Sequence, residues 1–131
     1  MEKYKIMLKG IVQYNDKYLV VEKWYDDRIL EPYQWEFIDG KLEFGEAPDK
    51  GVIRVVEEGT GLTVQVSKPL YTWNYMVGDV AHVGICFLLL SSTDQVILSE
   101  ELHDYKWLSK DEFKNYIHNQ AILQDIEKAE L

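Results

Sequence analysis

Between Gly40 and Leu62 the chain reads GKLEFGEAPDKGVIRVVEEGTGL, a glycine-punctuated loop that runs into a short helical pattern. Both ends of that helix are written into the residues. Pro48 suits the first helical turn, where its missing N–H costs nothing. Glu46 and Asp49 put negative charge near the positive end of the helix dipole. Val52, Ile53 and Val56 form an apolar stripe at helical spacing. Gly59 and Gly61 are read as ending the helix, with Gly61 placed for a left-handed cap. A helix with one apolar stripe has to lie against something, so the rest of the chain must supply a packing surface for it.

The spacing of this stretch resembles the Nudix box, G-x5-E-x7-R-E-U-x-E-E-x-G-U, where U is apolar. Gly40, Glu46, Arg54, Val56, Glu58, Gly61 and Leu62 match at the right intervals. Seven separated matches over one stretch are far more specific than a lone glycine motif. Two positions depart: Val55 and Gly59 stand where the family has glutamates. Three carboxylates at those intervals share one face of a helix. There they hold Mg²⁺ against a diphosphate and help to activate water. Here that face reads Val55, Glu58, Gly59. Mg²⁺ commonly takes only one or two protein carboxylates, with waters and phosphates completing its shell, so metal-assisted binding survives the loss. Multi-metal hydrolysis is less secure.

The resemblance implies that Glu46 and Arg54 brace the loop against the helix, as a charge-assisted hydrogen bond does well. It implies that Glu58 is a metal ligand and a catalytic carboxylate, and that the Gly40 carbonyl is a second ligand. The plainer alternative makes Val55 and Gly59 packing residues and Glu57 and Glu58 a solvated helix end, where the dipole mildly disfavours acids.

Length and charge narrow the classes of partner. With 131 residues there is room for one domain around one core, expected to span 1–131. A hydrophobic content of 47% excludes a disordered chain. A net charge of −9 repels nucleic acid polymers and anionic membranes. It leaves room for a small phosphorylated ligand bridged by a divalent cation. Cys86 is the single cysteine, so no intrachain disulfide can form, which fits a reducing compartment. It sits in an apolar run and reads as a buried small hydrophobe. The start, MEKYKIMLKG, has no core for a signal peptide, and Ile85–Leu90 is too short to span a bilayer. A cytoplasmic protein is expected.

Taken in order, residues 4–24 predict a hairpin around Asn15-Asp16-Lys17. The charged segment from Trp24 to Pro32 is read either as a polar connection or as a substrate-side loop offering an aromatic ring and the cation of Arg28. Trp35, Phe37, Gly40 and Lys41 continue the family resemblance, while Ile38 and Asp39 replace its usual Pro and Gly. Asp39 is read as a turn residue, or as compensation for the missing glutamates. Residues 64–76 and 80–90 predict a second hairpin around Gly78-Asp79. Tyr71, Trp73 and Tyr75 alternate onto one face, where they either stack a nucleobase or pack beneath a helix. Trp73 and Tyr75 are the candidate substrate contacts. His82, on the facing strand, reads as a hydrogen-bonded residue rather than a base, and Val83, Ile85, Phe87 and Leu89 alternate towards the core. The polar loop of residues 91–104 carries Glu100 and Glu101. The resemblance offers either one, Glu101 first, as a further catalytic carboxylate; solvated loop acids are the alternative. Residues 109–131 predict a helical tail, opened by a Ser109–Glu112 capping box, with Phe113, Tyr116, Ile117, Leu123 and Ile126 as its stripe.

The resemblance covers almost the whole chain. It implies an α/β fold, a Nudix-type α/β/α sandwich around a mixed sheet, with the box helix on one side and the C-terminal helix on the other. It implies a Mg²⁺- or Mn²⁺-dependent pyrophosphohydrolase acting on a nucleoside diphosphate linked to another group, slowed by its depleted box. The second expectation is a non-catalytic nucleotide- or partner-binding module of the same shape. The third is a structural subunit. A homodimer is the assembly that similar proteins suggest.

Overall fold

A computed structural model describes residues 2–24 and 34–131. The first strand, β1 (Lys3–Tyr14), turns at Asn15 into β2 (Lys17–Lys23). Asn15 takes the left-handed conformation (φ 54°) that this residue tolerates well. The predicted hairpin is real but brief. Only Gln13 with Tyr18 and Tyr14 with Lys17 pair, after which β2 leaves β1. The short β3 (Trp35–Glu36) joins β2, and β4 (Ile38–Lys41) takes the edge of β1 that β2 has vacated, Met7 facing Lys41 and Gly10 facing Ile38.

Helix α1 (Pro48–Thr60) follows. Pro48 opens it and Gly61 closes it at φ 71°, its N–H donating to the Glu57 carbonyl. Gly59 does not end the helix as expected; it lies inside the last turn. Strands β5 (Val64–Val77) and β6 (Val80–Ser91) form the second hairpin around Gly78, at φ 59°. Strand β6 then runs parallel to β1 from Lys3–Val80 to Gln13–Leu90. The last strand, β7 (Leu102–Leu108), pairs with β2. The result is a mixed sheet with one limb β4-β1-β6-β5 and another β3-β2-β7, joined at the β1–β2 turn.

The predicted tail helix is broken into three pieces: a 3₁₀ turn at Lys110–Glu112, α2 (Phe113–Tyr116) and α3 (Gln120–Ala129). The Ser109–Glu112 box forms, with the Ser109 N–H and hydroxyl both donating to Glu112 Oε1. The apolar stripe runs on through Ile117, but Asn119 intervenes. Its Oδ1 accepts from the amides of Ala121 and Ile122, so it starts a new helix instead of continuing the old one. Ile117 between them is extended and fully buried.

Alternation along the strands sorts the core into two layers. Leu8, Val12, Leu19, Val21, Phe87 and Leu89 face α1, where they meet Val52, Val55 and Val56. Ile11, Tyr18, Val20, Phe37, Cys86 and Leu88 face the other way, onto Phe113, Ile117 and α3. The helices therefore cover opposite faces, as the sandwich expectation required. Gly10 permits the close approach of α1, because a Cβ there would stand 2.9 Å from Leu89 and 3.1 Å from Val56. Among the described residues no helix is long and apolar enough to cross a membrane.

Candidate active site

The departure of β2 from β1 opens a cavity of about 1080 Å³. Its walls are Val21 and Lys23 of β2, all of β4, the second half of α1, and residues 99–102. A backbone ladder fixes the last of these walls. The carbonyls at the end of α1 have no helical partner. Gly59 O and Thr60 O instead accept from the amides of Ser99 and Ile97, both at 2.9 Å. This ties the loop to the helix terminus and brings Glu100 and Glu101 to the cavity that holds Glu58 and Gly40.

Arg54 is the hub beneath this cavity. Its Nε donates to Glu46 Oε2 at 2.7 Å and its Nη2 to Glu46 Oε1 at 3.0 Å, a two-point contact. Nη2 also donates to the Lys41 carbonyl at 2.8 Å, and Nη1 lies 3.3 Å from Glu58 Oε2. Glu46 Oε1 accepts in addition from the Glu43 amide. The Arg54 hydrogen bonds, with that amide, hold the Glu46 carboxyl below the usual glutamate range. The same contacts raise the Arg54 pKa, so the pair is charged throughout the working range of pH. Glu46 and Arg54 thus clamp the 41–46 loop onto α1. Glu58 shares the hub but keeps most of its side chain exposed to the cavity.

A second cavity of about 530 Å³ opens on the α3 side of the sheet and holds Trp73 and Tyr75 with Lys9, Glu36 and Asp39. Trp73 is half-buried, with the Lys9 ammonium 4.4 Å from its ring centroid. Tyr75 stacks on His82 at 4.6 Å, and His82 Nδ1 lies 3.3 Å from the Val80 carbonyl. Tyr71 is buried in the core beneath. The structure therefore separates Trp73 and Tyr75 from Glu58 and Glu101, and among the described residues Asp39 alone lines both cavities. Arg28 lies outside the described residues, as do the other members of the 25–33 segment.

Asp39 is neither a turn residue nor a free acid. It lies within β4, and its Oδ1 is 2.9 Å from Lys23 Nζ, which also sits 2.8 Å from Glu36 Oε1. Burial pushes the Glu36 carboxyl up, and the Asp39 charge adds to that against the pull of Lys23. Burial also disfavours the Lys23 charge, but Asp39 and Glu36 outweigh it and keep the lysine protonated. Sequence reasoning missed Lys23, Glu36 and Lys9. The available signal was parity: Lys23 follows Leu19 and Val21 on one face, and Lys9 precedes Ile11 on the other. A lysine at a core-facing position needs a partner or a cavity.

Comparison with known proteins decides the kinship. The sequence model of the NUDIX domain matches residues 9–126. The chain belongs to the Nudix family. It is similar to the nucleoside triphosphatase NudI of Escherichia coli O139:H28, with 27% identity over 122 residues covering 85% of this chain and 86% of the relative. Its fold is that of the MutT protein from Methanosarcina mazei Go1, with a TM-score of 0.83, 22% identity, and coverage of 98% of this chain and 94% of that one. The E. coli dihydroneopterin triphosphate pyrophosphohydrolase superposes with a TM-score of 0.74 at 18% identity, covering 97% of each chain. The chain is thus a Nudix-type hydrolase of phosphoanhydride bonds in nucleoside diphosphate derivatives.

The two departures in its Nudix box are built into the packing. Val55 is buried, and its methyl lies where a Cβ on Gly40 would come within 2.7 Å. Ile38, standing where the family has proline, fills the space beside Gly59, where a Cβ would stand 2.4 Å from its Cδ1. Nudix hydrolases generally use divalent metals. The donor set here does not make a resident cage for one. Two thirds of the relevant helix face is apolar, and among the described residues no three His, Cys, Asp or Glu side chains cluster as metal ligands.

Proposed function

We propose that this Nudix chain, acting as one domain over residues 1–131, cleaves a nucleoside diphosphate linked to another group, in the presence of Mg²⁺ or Mn²⁺. The observation that carries the reading is the larger cavity, where Glu58, Glu101 and the Gly40 backbone line one space braced by Glu46 and Arg54. In that space Glu58 and Glu101 are the catalytic carboxylates. One of them accepts a proton from water as its oxygen bonds to phosphorus. The bridging P–O bond breaks and the leaving phosphate departs with the electron pair. Glu58 and the Gly40 carbonyl are the chain's own donors towards a cation carried on the diphosphate. Lys41, on the same wall, offers positive charge to the phosphates.

The smaller cavity takes the base. Trp73 and Tyr75 supply π-faces for it, and Asp39 lines both spaces. Arg28 completes the substrate contacts from the 25–33 segment. A reduced Cys86 and the acidic surface fit a cytoplasmic enzyme, and a homodimer is the assembly to be checked by light scattering.

The test is turnover. Dinucleotides, nucleoside triphosphates and nucleotide sugars are incubated with Mg²⁺ or Mn²⁺ and followed by phosphorus NMR. Glu58→Gln is expected to lower kcat by roughly 10²-fold or more, the range for removing a general base. A Glu58→Gln enzyme that turns over like wild type sinks the assignment.

A further inference from the structure

The helix face that departs from the Nudix pattern lines the larger cavity with apolar surface as well as being depleted of acids. Ile38 reaches over Gly59, and Val55 is packed over Gly40, both within the α1-side core. The one remaining carboxylate, Glu58, is exposed and lies 3.3 Å from the Arg54 guanidinium, so part of its charge is already answered. Mg²⁺ gives up hydration water reluctantly, and a single exposed carboxylate gains little over water by contacting either Mg²⁺ or Mn²⁺. A diphosphate, by contrast, presents adjacent oxygens of high charge in chelating geometry. We propose that this hydrolase has no resident metal ion: the ion enters already chelated by the diphosphate of the substrate, and the Ile38–Gly59 contact is what keeps the protein from holding one beforehand.

The inference rests on the reading of a diphosphate-cleaving site, and its test uses binding so that the two can fail separately. Mn²⁺ is titrated into the full chain by calorimetry and by the loss of the free-ion EPR signal, with and without methylenediphosphonate, whose P–C–P bridge cannot be hydrolysed. Mn²⁺ alone is expected to show no saturable binding below about 1 mM, at or beyond the weak end of protein sites. With methylenediphosphonate, one Mn²⁺ per chain binds, and Glu58→Gln weakens that uptake roughly tenfold. A paired variant, Ile38→Ala with Gly59→Glu, makes room for a second carboxylate. It is expected to bind Mn²⁺ alone roughly tenfold tighter than wild type, whereas Gly59→Glu with Ile38 in place gains nothing.

Saturable micromolar binding of Mn²⁺ by the wild-type chain without the diphosphonate, abolished by Glu58→Gln, overturns the inference and leaves the hydrolase reading intact. So does uptake of two or more ions per chain. Failure of the Mn²⁺–diphosphonate complex to bind also overturns it. Absence of turnover across the nucleotide panel strikes the functional reading instead.

Discussion

Replacing Gly84 with alanine is the sharpest test of how the smaller cavity is built. Gly84 is buried in β6, and the indole of Trp73 lies flat across it from the neighbouring strand. A Cβ at position 84 would stand 2.3 Å from Trp73 Cε2, 2.4 Å from Cζ2 and 2.5 Å from Cδ2. Carbon atoms in contact normally sit about 3.5–4.0 Å apart, so the ring has to retreat by more than about 1 Å. It has little room, with Tyr71 at 6.0 Å between centroids and the Lys9 ammonium at 4.4 Å. Overpacking of this kind costs about 1–3 kcal/mol. Disturbing the Lys9 contact adds about 0.5–1 kcal/mol. Restricting the unfolded chain by a Gly→Ala change returns about 0.4–1 kcal/mol. The balance is a loss of about 1–3 kcal/mol, or a Tm lower by roughly 4–10 °C for a chain of this size. Circular dichroism melting reads it directly. Trp73→Leu in the same chain should remove most of the penalty, since the two residues are in contact and their effects must couple. KM for the nucleotide should rise with kcat preserved if Trp73 walls the base site. A Gly84→Ala protein as stable as wild type, with no coupling to Trp73, refutes the placement of the indole.

The other predictions concern the loop brace, the thiol and the last helix. The Glu46 carboxyl is held below its ordinary range, so its stabilisation is complete above the usual glutamate pKa of about 4.3 and is lost as pH falls through the lowered value. The Tm difference between wild type and Glu46→Gln should therefore stay constant from neutral pH down to that range and shrink below it; a difference independent of pH argues against the clamp. Burial pushes the Cys86 thiol up to about 12, so a disulfide reagent at pH 8 should leave native protein unlabelled and label one thiol per chain after unfolding. Asn119→Ala removes the acceptor for two α3 amides and should cost about 1 kcal/mol in urea unfolding, with the loss concentrated in the C-terminal amides by hydrogen exchange.

What could be read from the sequence was local. Pro48 and Gly61 bound α1 because a missing N–H and a left-handed cap are properties of single residues. Gly78 turned the second hairpin for the same reason. The strands of the two core layers followed from alternation. What escaped needed a partner distant in the chain. Gly59 looked like a helix terminator because its neighbour Ile38 is invisible from the helix sequence. Asp39 looked like a turn residue, because its partner Lys23 lies in the distant strand β2. The tail looked continuous because an apolar stripe spans Phe113 to Ile126, while one carboxamide at Asn119 decides the break. The candidate site divided the same way. Glu46, Arg54 and Glu58 were legible from spacing within a loop and one helix. The position of Glu101 depended on amides donating to the end of α1, which no periodicity records.

The charge on the cavity wall bears on how an anionic substrate enters so acidic a protein. Lys23, Lys41 and Arg54 face Asp39, Glu43, Glu58, Glu100 and Glu101 around the same space. Two of the cations are already committed, Lys23 to Asp39 and Glu36, and Arg54 to Glu46. Burial shifts Glu36 towards its neutral form, which leaves the Lys23, Asp39 and Glu36 group close to balance rather than negative. A bare diphosphate therefore meets a wall on which acids outnumber the uncommitted lysine, inside a molecule of net charge −9. Like charges at such distances cost several kcal/mol once solvent is displaced. A divalent ion chelated to the phosphates removes most of that cost before contact and presents the surplus acids, Glu58, Glu100 and Glu101, with something to attract. A small phosphate ligand that arrives with its own counter-ion suits a molecule of net charge −9, and the sparse α1 face fits the proposal that the ion comes and goes with each turnover.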